Sequence, residues 1–523
     1  MMIPRRNFLG SLATIAGTSV IPHAVLGAIA DSVGIDVPRI GLIIGNSRYR
    51  RGPLLNPTND AKAISATLAE LGFQCQLLLD ADLHAMSDAV QQYGARLANQ
   101  KAIGLFYYAG HGAQLAWRNY LIPVDAVLST LDDMPRKTLE LGALLSALSK
   151  AANPMNVIIL DACRDNPFGS GVPVERKGLS QFDAPPGSLL SYSTAPGNTA
   201  SDGDGANGLF TENLLREMRV PGAKLEDVFK RVRLKVRIKS GGQQIPWEST
   251  SLEGDFYFSQ SQEQLVKISE ERKVQLFNEE LAVWNASKAT QTVASMEDYL
   301  ARFPNGNFSQ LAQVQLDLLL KKQGEKSVQI SNAPSNPFTK GTVSAVGSYS
   351  LGDSFTFEEQ DALTGVAEST FTEKVTSITE SQIIFNDGKV ILDLIGNELK
   401  SRDHHFLTPA QLYPAQYAIG FKWSTKYIRK RGNGVASEME LNLAVVAREV
   451  FTNQAGTFNA FKVTASGSVA DGKNRRIEYW IDPAKCLRPL RFDEFAWKQK
   501  SRGRERMKVT ARTELIRYTQ KPS

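Results

Sequence analysis

Cys163 is a thiol placed where it could form a covalent bond to a substrate. It ends the run Val157-Ile-Ile-Leu-Asp-Ala-Cys, which is aliphatic and β-branched until Asp161, and Pro167 follows soon after. That pattern predicts a buried strand that empties into a loop at the sulfur. His111 stands the same way, at the end of Ala102-Ile-Gly-Leu-Phe-Tyr-Tyr-Ala-Gly-His-Gly. A thiol attacks a carbonyl only as thiolate, and a histidine beside it can take the proton and return it to a leaving amine. The tetrahedral intermediate then needs donors where its oxyanion grows, and the backbone N–H groups of Gly112 and Cys163 are the natural pair. Each residue alone has an ordinary reading: a structural thiol at a strand end, a histidine in a turn. Together, at two strand ends, they point to acyl transfer. Cys75, inside Phe73-Gln-Cys-Gln-Leu-Leu-Leu, reads as a small core residue, and Cys486 lies far downstream.

Two strand ends make a site only if one sheet holds them. From Pro38 the chain alternates: Arg39-Ile-Gly-Leu-Ile-Ile-Gly reads as a strand, and Asn59-Asp60 as the cap of a helix running to Leu71-Gly72, with Ala63, Leu68 and Leu71 at helical spacing. Strand 73–79, helix 84–98, strand 102–108, helix 139–151 and strand 156–161 continue the pattern. Gly187-Ser-Leu-Leu-Ser-Tyr-Ser-Thr supplies another strand, 209–219 and 224–239 two helices, and Gly254-Asp-Phe-Tyr-Phe258 a last edge strand. Strands spaced by helices predict an α/β fold, a mostly parallel sheet sandwiched by helices, with ligands at the carboxyl ends of the strands.

Four ordered motifs carry a family resemblance: Leu42-Ile-Ile-Gly-Asn-Ser with Leu55-Asn-Pro-Thr-Asn-Asp60, Tyr107-Tyr-Ala-Gly-His-Gly-Ala, Leu160-Asp-Ala-Cys-Arg-Asp-Asn-Pro-Phe, and Pro246-Trp-Glu with Gly254-Asp-Phe. Over residues 38–258 the chain resembles the bacterial caspase-like cysteine peptidases, the metacaspase-related orthocaspases of clan CD. The 52 residues from His111 to Cys163 are close to the roughly 50 of caspases, although Asp-Ala-Cys-Arg-Asp follows their local pattern only in part. The resemblance implies the caspase fold, a Cys163–His111 dyad and peptide-bond hydrolysis. It also implies that Asp161, two residues before the thiol, and Asp60 line the pocket for the side chain before the cleaved bond, which would select Arg or Lys. The plain alternative makes Asp60 an N-cap and Asp161 a polar strand end. Ala109 stands where metacaspases tend to have serine. The Gly- and Pro-rich stretch after Cys163 reads as an exposed loop. Relatives are commonly processed there, and Arg176 and Lys177 offer the side chains for self-cleavage.

No cofactor is expected. Ser201-Asp-Gly-Asp-Gly-Ala-Asn-Gly208 lacks the third spaced ligand and closing Glu of a calcium loop and reads as a glycine-rich active-site loop. Calcium activation stays open only because some metacaspases respond to it.

The remaining chain bounds the setting. Residues 1–30, with Arg5-Arg6-Asn7-Phe8-Leu9, an apolar run and Ala28-Ile29-Ala30, resemble a twin-arginine export signal, and predict a periplasmic or secreted protein; the alternative is an uncleaved anchor. With a net charge of +6, nothing global announces a nucleic-acid partner, and three cysteines in 523 residues are no disulfide scaffold. Residues 262–321 read as a helical hairpin turning at Pro304-Asn-Gly306, and 322–341 as a linker. From 342 to 519 short alternating runs predict an all-β accessory domain, in which Glu478-Tyr-Trp-Ile-Asp-Pro resembles a strand pair of half-barrel envelope proteins. Lys498, Lys500, Arg502, Arg504, Arg506 and Lys508 fall at period two. On one strand they would form a cationic stripe suited to an anionic envelope surface; a turn at Ser501-Arg-Gly503 would reset the parity.

The sequence thus predicts an exported cysteine endopeptidase acting on proteins or peptides after Arg or Lys. Two other classes compete: a catalytically silent caspase-like scaffold, and a thiol acyltransferase on envelope substrates.

Overall fold

The computed structural model describes residues 37–163, 179–195, 205–252, 254–259, 270–324, 336–339, 341–345, 349–402, 404–432, 434–469, 473–499 and 505–521. Residues 1–30, where an export signal is expected, Arg176, Lys177 and residues 201–204 lie outside them.

The first region runs β1 (Arg39–Gly45), α1 (Pro57–Glu70), β2 (Phe73–Leu79), α2 (Leu83–Gln100), β3 (Ile103–Leu115), β4 (Arg118–Leu121), α3 (Met134–Lys137), β5 (Leu139–Glu140), α4 (Leu141–Ala151), β6 (Asn156–Cys163), β7 (Ser188–Tyr192), α5 (Leu209–Met218), α6 (Leu225–Lys239) and β8 (Trp247–Thr250). The strands lie in the order β2-β1-β3-β6-β7-β8, parallel except for β8, with β4 and β5 added beyond the end of β3. The central strands are apolar on both sides because both faces are covered. Ile40, Leu42, Phe106, Tyr108, Ile158 and Leu160 meet α2 and α4 through Met86, Tyr93, Leu97, Leu144 and Leu148. Ile43, Leu105, Tyr107, Val157 and Ile159 meet α1, α5 and α6 through Ile64, Leu68, Phe210, Leu214 and Val232. The α/β sandwich expected from the alternating pattern is what forms.

Two local expectations are corrected. Helix α1 begins at Pro57 after Asn56, so Asp60 is not its cap but sits buried in its first turn; proline at the first helical position is the start signal here. The edge strand is Trp247–Thr250 rather than 254–258. With that edge filled, Phe256 and Phe258 turn onto the core under α6, and their segment makes one bridge, Tyr257 to Lys224.

Beyond the sandwich stand three helices, α7 (Glu270–Thr290), α8 (Val293–Arg302) and α9 (Ser309–Lys322), rather than a simple hairpin. The extra break falls at Gln291, which has a left-handed φ of 50°, and Thr292, whose side chain caps α8. Trp284 stacks on Phe308 at 5.7 Å and buried Glu280 accepts from the Tyr299 hydroxyl at 2.6 Å, tying the three together.

The C-terminal region is all-β, as expected, but a closed twelve-stranded barrel rather than a half-barrel: its first strand, Ser354–Asp361, hydrogen-bonds to its last, Glu505–Thr519. The basic run is not one strand. Lys498 and Arg506 are register partners on two antiparallel strands, and Lys500, Arg502 and Arg504 lie outside the described residues. Inside the barrel Arg488 pairs with Glu373 at 2.8 Å, both under a tenth exposed, with the guanidinium over the rings of Phe357 and Phe385. Because removing one partner strands the other charge, Glu373→Ala is expected to destabilise the barrel by about 3–5 kcal/mol, measured by urea unfolding of the full chain; a loss near zero would mean that water reaches Arg488.

Candidate active site

The site begins with register. Strands β3 and β6 are parallel neighbours, and their pairing ends with His111 opposite Cys163, so two reactive residue types meet at the carboxyl edge of the sheet on strands roughly 5 Å apart.

His111 is built in from several sides. Gly110 before it has φ +152°, and a Cβ there would collide with the hydroxyls of Tyr49 and Tyr108. Those hydroxyls hold the histidine backbone: Tyr49 accepts from His111 N–H at 2.9 Å, and Tyr108 donates to the His111 carbonyl oxygen at 2.7 Å. Burial pushes the Tyr49 hydroxyl well above the usual phenol range, so it stays protonated. Its ring lies 4.3 Å from the imidazole, which is only 7% exposed. Nε2 stands 2.6 Å from the Gly52 carbonyl oxygen. A carbonyl can only accept, so Nε2 carries the proton in the neutral ring and Nδ1 is left as the base. Gly110→Ala is expected to displace this strand end and cost about 1–3 kcal/mol of stability, with a larger loss of activity. Thermal unfolding and peptide turnover check it; an unchanged melting temperature would show that the tyrosines yield.

The backbone around Gly112 is also placed. Ile122 N–H donates to the His111 carbonyl oxygen at 3.1 Å, and Gly112 faces Leu121 in register. That makes Gly112–Leu121 a pair that exchanges no hydrogen bonds, so the Gly112 N–H turns away from β4, toward the side where β6 ends. A Cβ at Gly112 would stand 3.0 Å from both Ala162 Cβ and Leu179 Cδ2. Glycine therefore leaves room for these two side chains to pack against the strand.

The two acids converge on the face covered by α1 and α5. Asp161 accepts from Thr211 Oγ1 at 2.7 Å, and its Oδ2 lies 3.5 Å from the Tyr107 hydroxyl, which is itself 2.7 Å from Thr211. Asp60, 3% exposed, accepts from Asn207 Nδ2 at 2.8 Å and from Gly208 N–H at 3.0 Å, bracing the start of α5. Burial first, and then the charges of Asp161 and Asp60, raise the Tyr107 hydroxyl far above its ordinary value. Asp161 keeps some exposed surface. The other thiols are poorly suited to attack: burial pushes Cys486 up to about 12, and half-buried Cys75 is raised by the same cause.

Tyr49, Gly52, Tyr108 and Thr211 escaped the sequence reading. Tyr49 and Gly52 follow β1 at the carboxyl edge, where ligands gather, which was the available signal.

A histidine and a cysteine stand in register at the ends of adjacent parallel strands of a helix-covered sheet, with the histidine braced by the Gly52 loop. Residues 38–257 match the caspase domain of peptidase family C14, so this part of the chain is similar to a cysteine-peptidase domain. Among curated proteins, the human mucosa-associated lymphoid tissue lymphoma translocation protein 1 is 29% identical over 181 residues, 34% of this chain and 21% of that protein. Its mouse homologue is 28% identical over the same shares. The chain thus spans about a fifth of the length of these relatives. Among solved structures, caspase-1 from Spodoptera frugiperda aligns with a TM-score of 0.34 and 16% identity, covering 43% of this chain and 93% of that one.

Proposed function

We propose that the chain is a cysteine endopeptidase that cleaves peptide bonds after Arg or Lys. The observation that carries this reading is the register of His111 with Cys163 at the carboxyl edge of the sheet. In the proposed reaction His111 Nδ1 takes the thiol proton, and the sulfur of Cys163 attacks the substrate carbonyl carbon. The oxyanion is received by the N–H groups of Gly112 and Cys163. His111 then protonates the leaving amine, and water, activated by the same base, hydrolyses the thioester. Throughout, the Gly52 carbonyl holds the Nε2–H side of the ring and stabilises the imidazolium. The substrate cation is held by Asp161, with Asp60 adding negative charge behind it. Export by the twin-arginine route, and contact of the basic barrel segment with an anionic envelope surface, belong to the same proposal.

Fluorogenic peptides ending in Arg, Lys or Asp test it: cleavage after Arg or Lys is expected. Cleavage only after Asp would overturn the specificity, and no hydrolysis of any peptide would favour a scaffold or an acyltransferase. Self-cleavage at Arg176 or Lys177 is expected of wild type but not of Cys163→Ala, read by sequencing new amino termini. An intact chain in a preparation that digests Arg peptides would discard it.

A further inference from the structure

Residues 336–339, predicted as linker, are bound to the peptidase. Asn336 Nδ2 donates to the Gln181 carbonyl oxygen at 2.8 Å, Asp183 N–H to the Phe338 carbonyl oxygen at 3.0 Å, and Thr339 Oγ1 to the Asp183 carboxylate at 2.8 Å. Gln181 Nε2 reaches on to Thr342 Oγ1 at 2.9 Å. Phe338 stacks on Phe182 at 4.6 Å, and the Arg118 guanidinium, paired with Glu140, lies 5.5 Å over its ring. The segment leads straight into Val343–Ser344, which pairs with Gln416–Tyr417 beside the barrel.

The bound peptidase segment, residues 179–183, matters because of its neighbours. Asn119 holds both sides of Ser180, donating to its carbonyl oxygen at 2.8 Å and accepting from its N–H at 2.6 Å. Leu179, 2% exposed, fills the space in front of Gly112, where a Cβ would meet it. The strap thus holds one short segment, 179–183, whose Phe182 stacks on Phe338 and whose Leu179 lies against the glycine whose N–H faces the β6 side.

We propose that residues 336–339 and Thr342 form a positioning strap that sets the oxyanion donor Gly112 by holding Leu179 against it. The proposal rests on the peptidase reading. Phe338 and Asn336 are positioning residues: they touch no reacting atom and act through 179–183.

The test separates this from loss of fold. Peptide hydrolysis passes through an oxyanion. Alkylation of Cys163 by iodoacetamide does not, since the C–S bond forms as iodide leaves. In the full chain, Phe338→Ala and Asn336→Ala are expected to lower kcat about 10–100-fold with KM little changed, while Cys163 alkylation, followed by mass spectrometry, keeps its wild-type rate. Phe338→Tyr is expected to restore kcat. Unchanged turnover, or turnover and alkylation falling together, would overturn the proposal. Hydrogen exchange supplies an arm independent of activity: Phe338→Ala is expected to accelerate exchange in 179–183 and at Gly112, and wild-type exchange there overturns the strap. If wild type cleaves no peptide, the peptidase reading falls and exchange alone decides whether the strap holds this backbone.

Discussion

Cys163→Ala and His111→Ala are each expected to lower peptide turnover by about 10⁴-fold or more, with the double variant no worse than either single. The argument is that the pair acts as one unit. Without the sulfur there is no thioester, and the proton acceptor has nothing to activate; without the imidazole the thiol stays protonated and the leaving amine departs unprotonated. Independent contributions would instead multiply. The histidine variant also leaves the Gly52 carbonyl and the Tyr49 ring without their partner, so circular dichroism and melting temperature must accompany the kinetics. A Cys163→Ala protein that still turns over peptides would remove the cysteine from the mechanism altogether.

Asp161→Ala is expected to cut kcat/KM for Arg peptides by about 10²–10⁴-fold, because a guanidinium held in a desolvated pocket without its counter-charge costs about 3–5 kcal/mol. Asp161→Asn refines this, since an amide oxygen can still accept from Thr211 but brings no charge; a loss as large as that of alanine assigns the effect to electrostatics. Asp60→Asn is expected to lose less. Its carboxylate is already engaged by Asn207 and the Gly208 N–H, so it serves the start of α5 besides the role proposed for it in the pocket. Equal cleavage after Arg in wild type and Asp161→Ala would move specificity to other residues.

What the sequence disclosed follows a physical boundary. Strands buried on both faces write themselves as apolar runs, so Val157–Leu160 and Leu105–Tyr108 were legible, and so were the reactive residues at their ends. Contacts made far along the chain were not. The hold of Gly52 on His111 joins residues 59 apart, and that of Asn336 on Gln181 residues 155 apart; composition alone made 336–339, with its Asn and Pro, a linker. Helix α1 was placed three to four residues late because Asn59-Asp60 looks like a cap, whereas the cap position is Asn56 and Asp60 serves Gly208. The break before α8 carries no Gly or Pro; its only sequence mark is Thr292, the cap, which the reading passed over.

The closure of the barrel has a consequence for how this protein is made. Ser354 pairs with Thr519, so the hydrogen-bonding edge of its first strand stays open until the last one docks, and the non-local pairing that completes the domain is slow to form. During that interval two unpaired strand edges are available to other chains. Removing Glu505–Thr519 makes the interval permanent: Ser354–Asp361 and Arg491–Gln499 both lose their outer partner, and such a protein would associate edge to edge while the sheet that carries His111 and Cys163 keeps every one of its strands.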